Sequence, residues 1–177
     1  MKAVIDTREL RRLINSTKGS MGKEDNRLML TFIRLDFDKS TRTVTATALD
    51  GFKLAIEKTS LTYVDETFHA YIKPYLPVGI DSTATIEVKD GHCFISDGER
   101  CVGYKQPEGK WLDVDDLLKK YDNTPVQCDI CIDAEYLNEA LKSIKYDKPI
   151  RLEYRGEEQP IIIKKENSVR IVMVCRK

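Results

Sequence analysis

The side chains with the widest chemical range in this sequence are five cysteines, Cys93, Cys101, Cys128, Cys131 and Cys175, and two histidines, His69 and His92. Cys128-Asp-Ile-Cys131 has the spacing of a redox or zinc pair, and His92, Cys93 and Cys101 are further ligands that zinc could use. The surroundings argue against both chemistries. The pair lies within Val126-Gln-Cys-Asp-Ile-Cys-Ile-Asp133, whose alternation predicts a strand, and strand positions three apart point to opposite faces. An activated redox thiol belongs instead at a helix start, and the distances along the chain to His92, Cys93 and Cys101 match no standard zinc pattern. The thiols are read as packing groups, so no metal or other cofactor is expected. There is no glycine-rich phosphate loop and no Ser/His/Asp order, so no enzyme is expected either. An odd number of scattered cysteines fits a reducing compartment. No apolar run approaches the roughly 18 residues of a membrane span, and strand-like sequence starts at Met1 in place of a leader, which predicts a cytoplasmic protein.

Lys+Arg and Asp+Glu are both 29, so net charge gives no reason to invoke nucleic acid or a membrane; a charged partner would need charge segregated onto one face. Two helices supply such faces. Asp6 and Glu9 have capping-box spacing, after which Leu10, Leu13, Ile14 and Thr17 share one face while Arg8, Arg11 and Lys18 share another, with Arg12 beside them. The second helix follows Asp133; Leu137, Ala140, Leu141 and Ile144 form its apolar face, and Lys142 and Lys145 lie outward. A basic polar face is either solvated or a track for a phosphate backbone, and the residues alone leave both open.

Three blocks of elements position these groups. Thr43 to Glu57 alternates on both sides of Asp50-Gly51, which predicts a tight hairpin with Leu49 and Phe52 crowded at its turn, where apolar groups want a cover. That cover is expected from the C-terminal strand, Ile171 to Lys177, and a peptide of another protein. Around the hairpin the first sixty residues read strand, helix, strand (Leu28–Phe37), strand, strand. Setting Asp133 on Asp6 superposes the apolar phase of the last fifty residues on the same order, starting with a strand over Val126–Ile132. Between them a third unit has strands at Thr67–Ile72, Thr83–Val88, His92–Ser96 and Arg100–Lys105. Pro74 and Pro77 interrupt the place of its helix. The reading is therefore an α+β chain of three βαβββ units, the middle one degenerate. Residues 1–107 would form a two-unit domain, 108–125 a linker packed through Trp111, Leu112, Val114, Leu117 and Leu118, and 126–177 half a domain.

Four stretches in order resemble the bacterial sliding clamp, the DNA polymerase III beta subunit. Leu13 to Arg27 is similar to the first helix and following loop of that family's middle domain, and Thr47-Ala-Leu-Asp-Gly-Phe-Lys-Leu-Ala55 to its Thr-Asp-Gly-His-Arg-Leu-Ala hairpin. Glu108-Gly-Lys-Trp-Leu-Asp113 resembles its Gly-Arg-Phe-Pro-Asp linker; Tyr136 to Ile144, Arg151-Leu-Glu-Tyr154 and Val172-Met-Val-Cys-Arg176 resemble the second half of its last domain. Phe52 replaces the family's His, Leu49 its Thr, and Leu112 and Val174 its Pro. The resemblance implies a DNA clamp-like fold and a DNA replication processivity factor: an oligomeric, non-enzymatic accessory of DNA polymerase. It would bind double-stranded DNA without sequence specificity through Arg8, Arg11, Arg12, Lys18, Lys142 and Lys145. It would hold polymerase or repair proteins by short peptides in a hydrophobic pocket of Arg27, Leu30, Leu49, Gly51, Phe52, Lys53, Leu54, Leu112, Leu117, Ile171, Val172, Met173, Val174, Cys175 and Arg176. The alternative is a peptide-binding adaptor or competitor that does not encircle DNA, and the seam that would form the pocket can also be ordinary core, as the alternation at Leu54 and Val172 suggests.

Overall fold

The computed structural model describes all residues except 24–26, 77–82, 123–124, 127–128, 143, 145–148, 157–158, 166–167 and 176–177. The chain divides into two compact units, Met1–Leu112 and Asp113–Lys177.

In the first unit β1 (Lys2–Asp6) leads directly into α1 (Thr7–Thr17). The Asp6 carboxylate caps that helix, accepting from the backbone N–H of Arg8 at 2.8 Å and of Glu9 at 3.3 Å. Leu10, Leu13, Ile14 and Thr17 are buried, as their spacing predicts. The reciprocal capping bond expected of Glu9 is absent, because its carboxylate is drawn sideways to the Thr59 hydroxyl, 2.7 Å, and to Arg12 Nε, 3.0 Å.

The long strand expected over Leu28–Phe37 is shorter. Leu28–Thr31 is a 3₁₀ turn and β2 runs Ile33–Asp38. Met29 and Leu30 are consecutive and both buried, which a half-buried strand with opposite-facing neighbours does not allow. β3 (Thr43–Leu49), β4 (Leu54–Ser60), the two-residue β5 (Tyr63–Val64), β6 (Phe68–Ile72), β7 (Thr83–Lys89), β8 (His92–Ser96) and β9 (Cys101–Lys105) follow. The hairpin pairs Leu49 with Leu54, so its connection is the four residues Asp50–Lys53 and Phe52 belongs to the turn, where a two-residue turn was expected. The cause is the Asp50 side chain, which accepts from the N–H groups of Phe52, 2.9 Å, and Lys53, 2.8 Å.

The sheets are ordered β5-β1-β7-β8-β9 and β4-β3-β2-β6. Each half of the unit therefore lends its first strand to the other's three-strand meander: β1 lies against β7, and β6 against β2. One core joins both sheets and α1. Lys73–Leu76 form no helix, and the rest of the proline-broken segment, 77–80, lies outside the described residues. Gln106 returns from β9 to close the β6 edge, its Oε1 accepting from Tyr71 N–H at 2.8 Å and its Nε2 donating to Tyr71 C=O at 2.9 Å. Trp111, 9% exposed, lies tilted against Tyr71 and beside the Arg34 guanidinium.

The second unit holds α2 (Val114–Asp122), α3 (Ala134–Lys142), β10 (Arg151–Glu153), β11 (Ile161–Lys165) and β12 (Ser168–Val172). α2 falls within the stretch 108–125 that was read as a packed linker; Asp113 Oδ1 caps it by accepting from Asp116 N–H at 3.0 Å. The strand expected over Val126–Ile132 appears among the described residues as one bridge, Ile132 to Val174, and residues 127–128 lie outside them. Asp133 caps α3 through Glu135 N–H, 2.8 Å, as Asp6 caps α1. The sheet order is β10-β11-β12, with a small core of Ile144, Ile161, Ile163 and Val172.

Candidate functional site

The basic face of α1 is built by amphipathicity: burial of Leu10, Leu13 and Ile14 leaves the positions of Arg8 and Arg11, one turn apart, exposed to solvent. Their guanidiniums have no hydrogen-bond or ion-pair partner among the described residues. Arg12 differs. Its Nε binds Glu9 at 3.0 Å, its Nη1 binds Glu57 at 2.7 Å, and its Nη2 donates to the Lys58 carbonyl at 3.1 Å. The Thr59 hydroxyl and Arg12 together hold the Glu9 carboxyl below the usual carboxylate range, while Glu9 and Glu57 push the guanidinium pKa up. Arg12 is thus a clasp between α1 and β4. Lys18 donates to Asn15 Oδ1 at 2.7 Å. In the second unit Lys142 is exposed in the last turn of α3, and Lys145 lies outside the described residues.

The residues expected to form an apolar pocket fall into distinct environments. In the first unit Leu30 and Leu49 are buried, Leu54 is half-buried and Phe52 is 98% exposed at the tip of the turn. Gly51 has φ 92°, and a Cβ added there would sit 3.2 Å from Arg27 Nη2, so Arg27 closes over the turn. Lys53 Nζ donates to the Gly19 carbonyl at 2.7 Å and pairs with Asp50 at 3.2 Å, tying the hairpin to the segment after α1. Leu112, which ends the unit, is 48% exposed. In the second unit Leu117 is half-buried on α2. Val172 is core, whereas Ile171 and Met173 are each 61% exposed. Val174 bridges Ile132, Cys175 N–H donates to the Cys131 carbonyl at 2.8 Å, and Arg176 lies outside the described residues. Val169, 51% exposed, continues the stripe of Ile171 and Met173; the period of two marks it in the sequence, but no family motif points to it.

The cysteines do not converge. Cys93 is in the first unit's core, where burial pushes its thiol up to about 12. Cys101, Cys131 and Cys175 are exposed, and Cys128 lies outside the described residues. Among the described residues no three His, Cys, Asp or Glu side chains come together as a metal site, and no helix is long and apolar enough to cross a membrane.

Residues 4–78 match the family model of the DNA polymerase III beta subunit, central domain. No curated protein matches the sequence. Among solved structures, the DNA polymerase III subunit beta from Pseudomonas aeruginosa is 22% identical with a TM-score of 0.81, covering 98% of this chain and 51% of its own. The sliding clamp from Bacillus subtilis is 16% identical with a TM-score of 0.79, covering 98% and 49%. The beta subunit from Thermotoga maritima is 15% identical with a TM-score of 0.76, covering 98% and 50%. The chain spans about half the length of the clamps it matches. Its residues 4–78 carry the pattern of the beta-subunit central domain, and the chain has the fold of bacterial sliding clamps over half their length.

Proposed function

We propose that this protein is a non-catalytic, clamp-like tether of the cytoplasmic replication machinery. It holds double-stranded DNA without reading sequence and keeps a polymerase or repair protein close by. The observation that carries the reading is α1 itself. A helix buried on one side presents two unpaired guanidiniums one turn apart on the other, in the segment that matches the beta-subunit central domain. Such groups suit phosphates, which give salt-sensitive contact independent of base sequence. Client peptides are assigned to four of the apolar groups the fold leaves exposed: Phe52 in the first unit, and Val169, Ile171 and Met173 in the second, with methionine as an adaptable wall.

The exposed β12 stripe independently favours a second reading, a peptide-binding adaptor that never encircles DNA. Retention on closed circular duplex DNA separates the two. A tether that surrounds DNA stays on the circle and leaves when the circle is cut, whereas an adaptor shows no retention on either form. Equal, salt-sensitive binding to circle and linear DNA would reject encirclement and keep only the basic track.

A further inference from the structure

We propose that the C-terminal unit is completed by a second copy of this chain, which lends the strand around Ile130–Ile132 to the free edge of β10 and receives the same strand in return. This goes beyond the tethering function and does not depend on it. The template lies within the first unit. There β1 and β6 are exchanged between the two halves, and the inward pairs are Ala3 with Ile86, Ile5 with Ala84, Ala70 with Leu35 and Ile72 with Ile33. All eight side chains are fully buried.

The second unit repeats one such half. Asp133 caps α3 as Asp6 caps α1, which sets Ile132 on Ile5 and Ile130 on Ala3. Leu152 pairs with Ile163 at the same spacing along the chain as Leu35 with Ala46, which sets Leu152 on Leu35 and Ile150 on Ile33. The bridge of Ile132 to Val174 corresponds to the pairing of β1 with β5. Among the described residues, what lacks a counterpart is the lent strand. β2 has β6 beside it, but β10 is an edge, and Leu152 is 60% exposed where Leu35 is 0%. The helix shows the same deficit. Leu10 and Leu13 of α1 are fully buried, whereas α3 has no buried residue and its Leu137, Ala140 and Leu141 are only partly covered.

Within residues 106–129 the only element among the described residues is α2, so the described part of the segment joining the two units supplies no strand for β10. The strand shaped for that edge is Ile130–Ile132, and the first unit's β1 and β6 are already paired. A twofold axis satisfies both copies at once and makes an isologous interface. Carrying over the first unit's register places Ile130 of one copy opposite Leu152 of the other, and Ile132 opposite Ile150. Cys131 then faces Arg151 on the outer side, which brings no like charges together.

Sedimentation of the full chain across concentration tests this. The mass should rise from 20.3 kDa towards twice that value, and Leu152→Arg should weaken self-association on the order of 100-fold, since symmetry introduces the charge twice. Leu152 is exposed within one copy, so the variant should keep the wild-type far-UV spectrum. As a check of register, Ile130→Cys and Leu152→Cys are made separately in a background with every cysteine except Cys93 replaced by serine. Oxidation of the mixture should give a crosslinked heterodimer that neither variant forms alone. A single-chain mass up to roughly 200 µM, a dimer unaffected by Leu152→Arg, or a mixture that does not crosslink would each overturn the proposal.

Discussion

Substituting Arg8 and Arg11 together with glutamine tests the proposed DNA track most directly, because neither side chain holds the fold together. If each guanidinium neutralises one backbone phosphate, the slope of log affinity against log salt should flatten by about 0.9 per arginine, or about 1.8 for the pair. Between 50 and 200 mM salt, a fourfold change, that removes about 12-fold of salt-dependent loss. Arg12→Gln is the comparison. With both donor edges engaged by Glu9, Glu57 and the Lys58 carbonyl, Arg12 has little left for phosphate, and its loss should change the slope by much less than about 0.9. Fluorescence anisotropy on one labelled duplex over a salt series reads both, and a second duplex of scrambled sequence should give the same slopes. An unchanged slope for the double variant, or a larger effect from Arg12→Gln, would refute the assignment of this face.

Three further perturbations probe the scaffold. Phe37, 1% exposed and stacked on Phe68 at 4.4 Å, should cost about 3–5 kcal/mol in urea unfolding when truncated to alanine; a loss below about 1 kcal/mol would mean that this side chain is not packed as core. Gly51→Ala should cost about 1 kcal/mol or more, because φ is 92° and the new Cβ would press on Arg27, and a neutral result would show that the hairpin turn relaxes. The Asp38 carboxyl is lowered from 3.8 to about 2 by the hydroxyls of Ser40 and Thr41 and the N–H of Ser40. Its contribution is therefore present above about pH 4 and lost as pH falls towards 2. Asp38→Asn should lower stability near neutral pH and flatten the acid limb, and an unchanged limb would remove this turn from the acid transition.

What could be read from sequence divides along a physical line. α1 was legible because its period of burial, its cap and its flanking strands agree, and β3, β4, β7, β8 and β9 because alternation and turn residues coincide. Two misreadings arise where one side chain outcompetes the pattern: Asp50 captures two N–H groups and widens the hairpin turn, and Glu9 prefers Arg12 and Thr59 to its own capping bond. The surfaces were harder, because the sequence shows that Arg8, Arg11 and Arg12 are outward but not that Glu57, 45 residues away, occupies the third. Likewise, alternation says that Ile171 and Met173 share a face without saying whether anything covers it. On the opposite face of that sheet, where Leu152 and Ile163 lie, coverage depends on what stands beside β10 and over α3. The same pattern that buries Leu35 leaves Leu152 exposed because one has a lent strand next to it and the other does not. Burial in this fold therefore follows the pairing of units: Ile150, Leu152 and Tyr154 alternate as the inward residues of a core strand do, and on our proposal a second copy supplies the strand that would cover them.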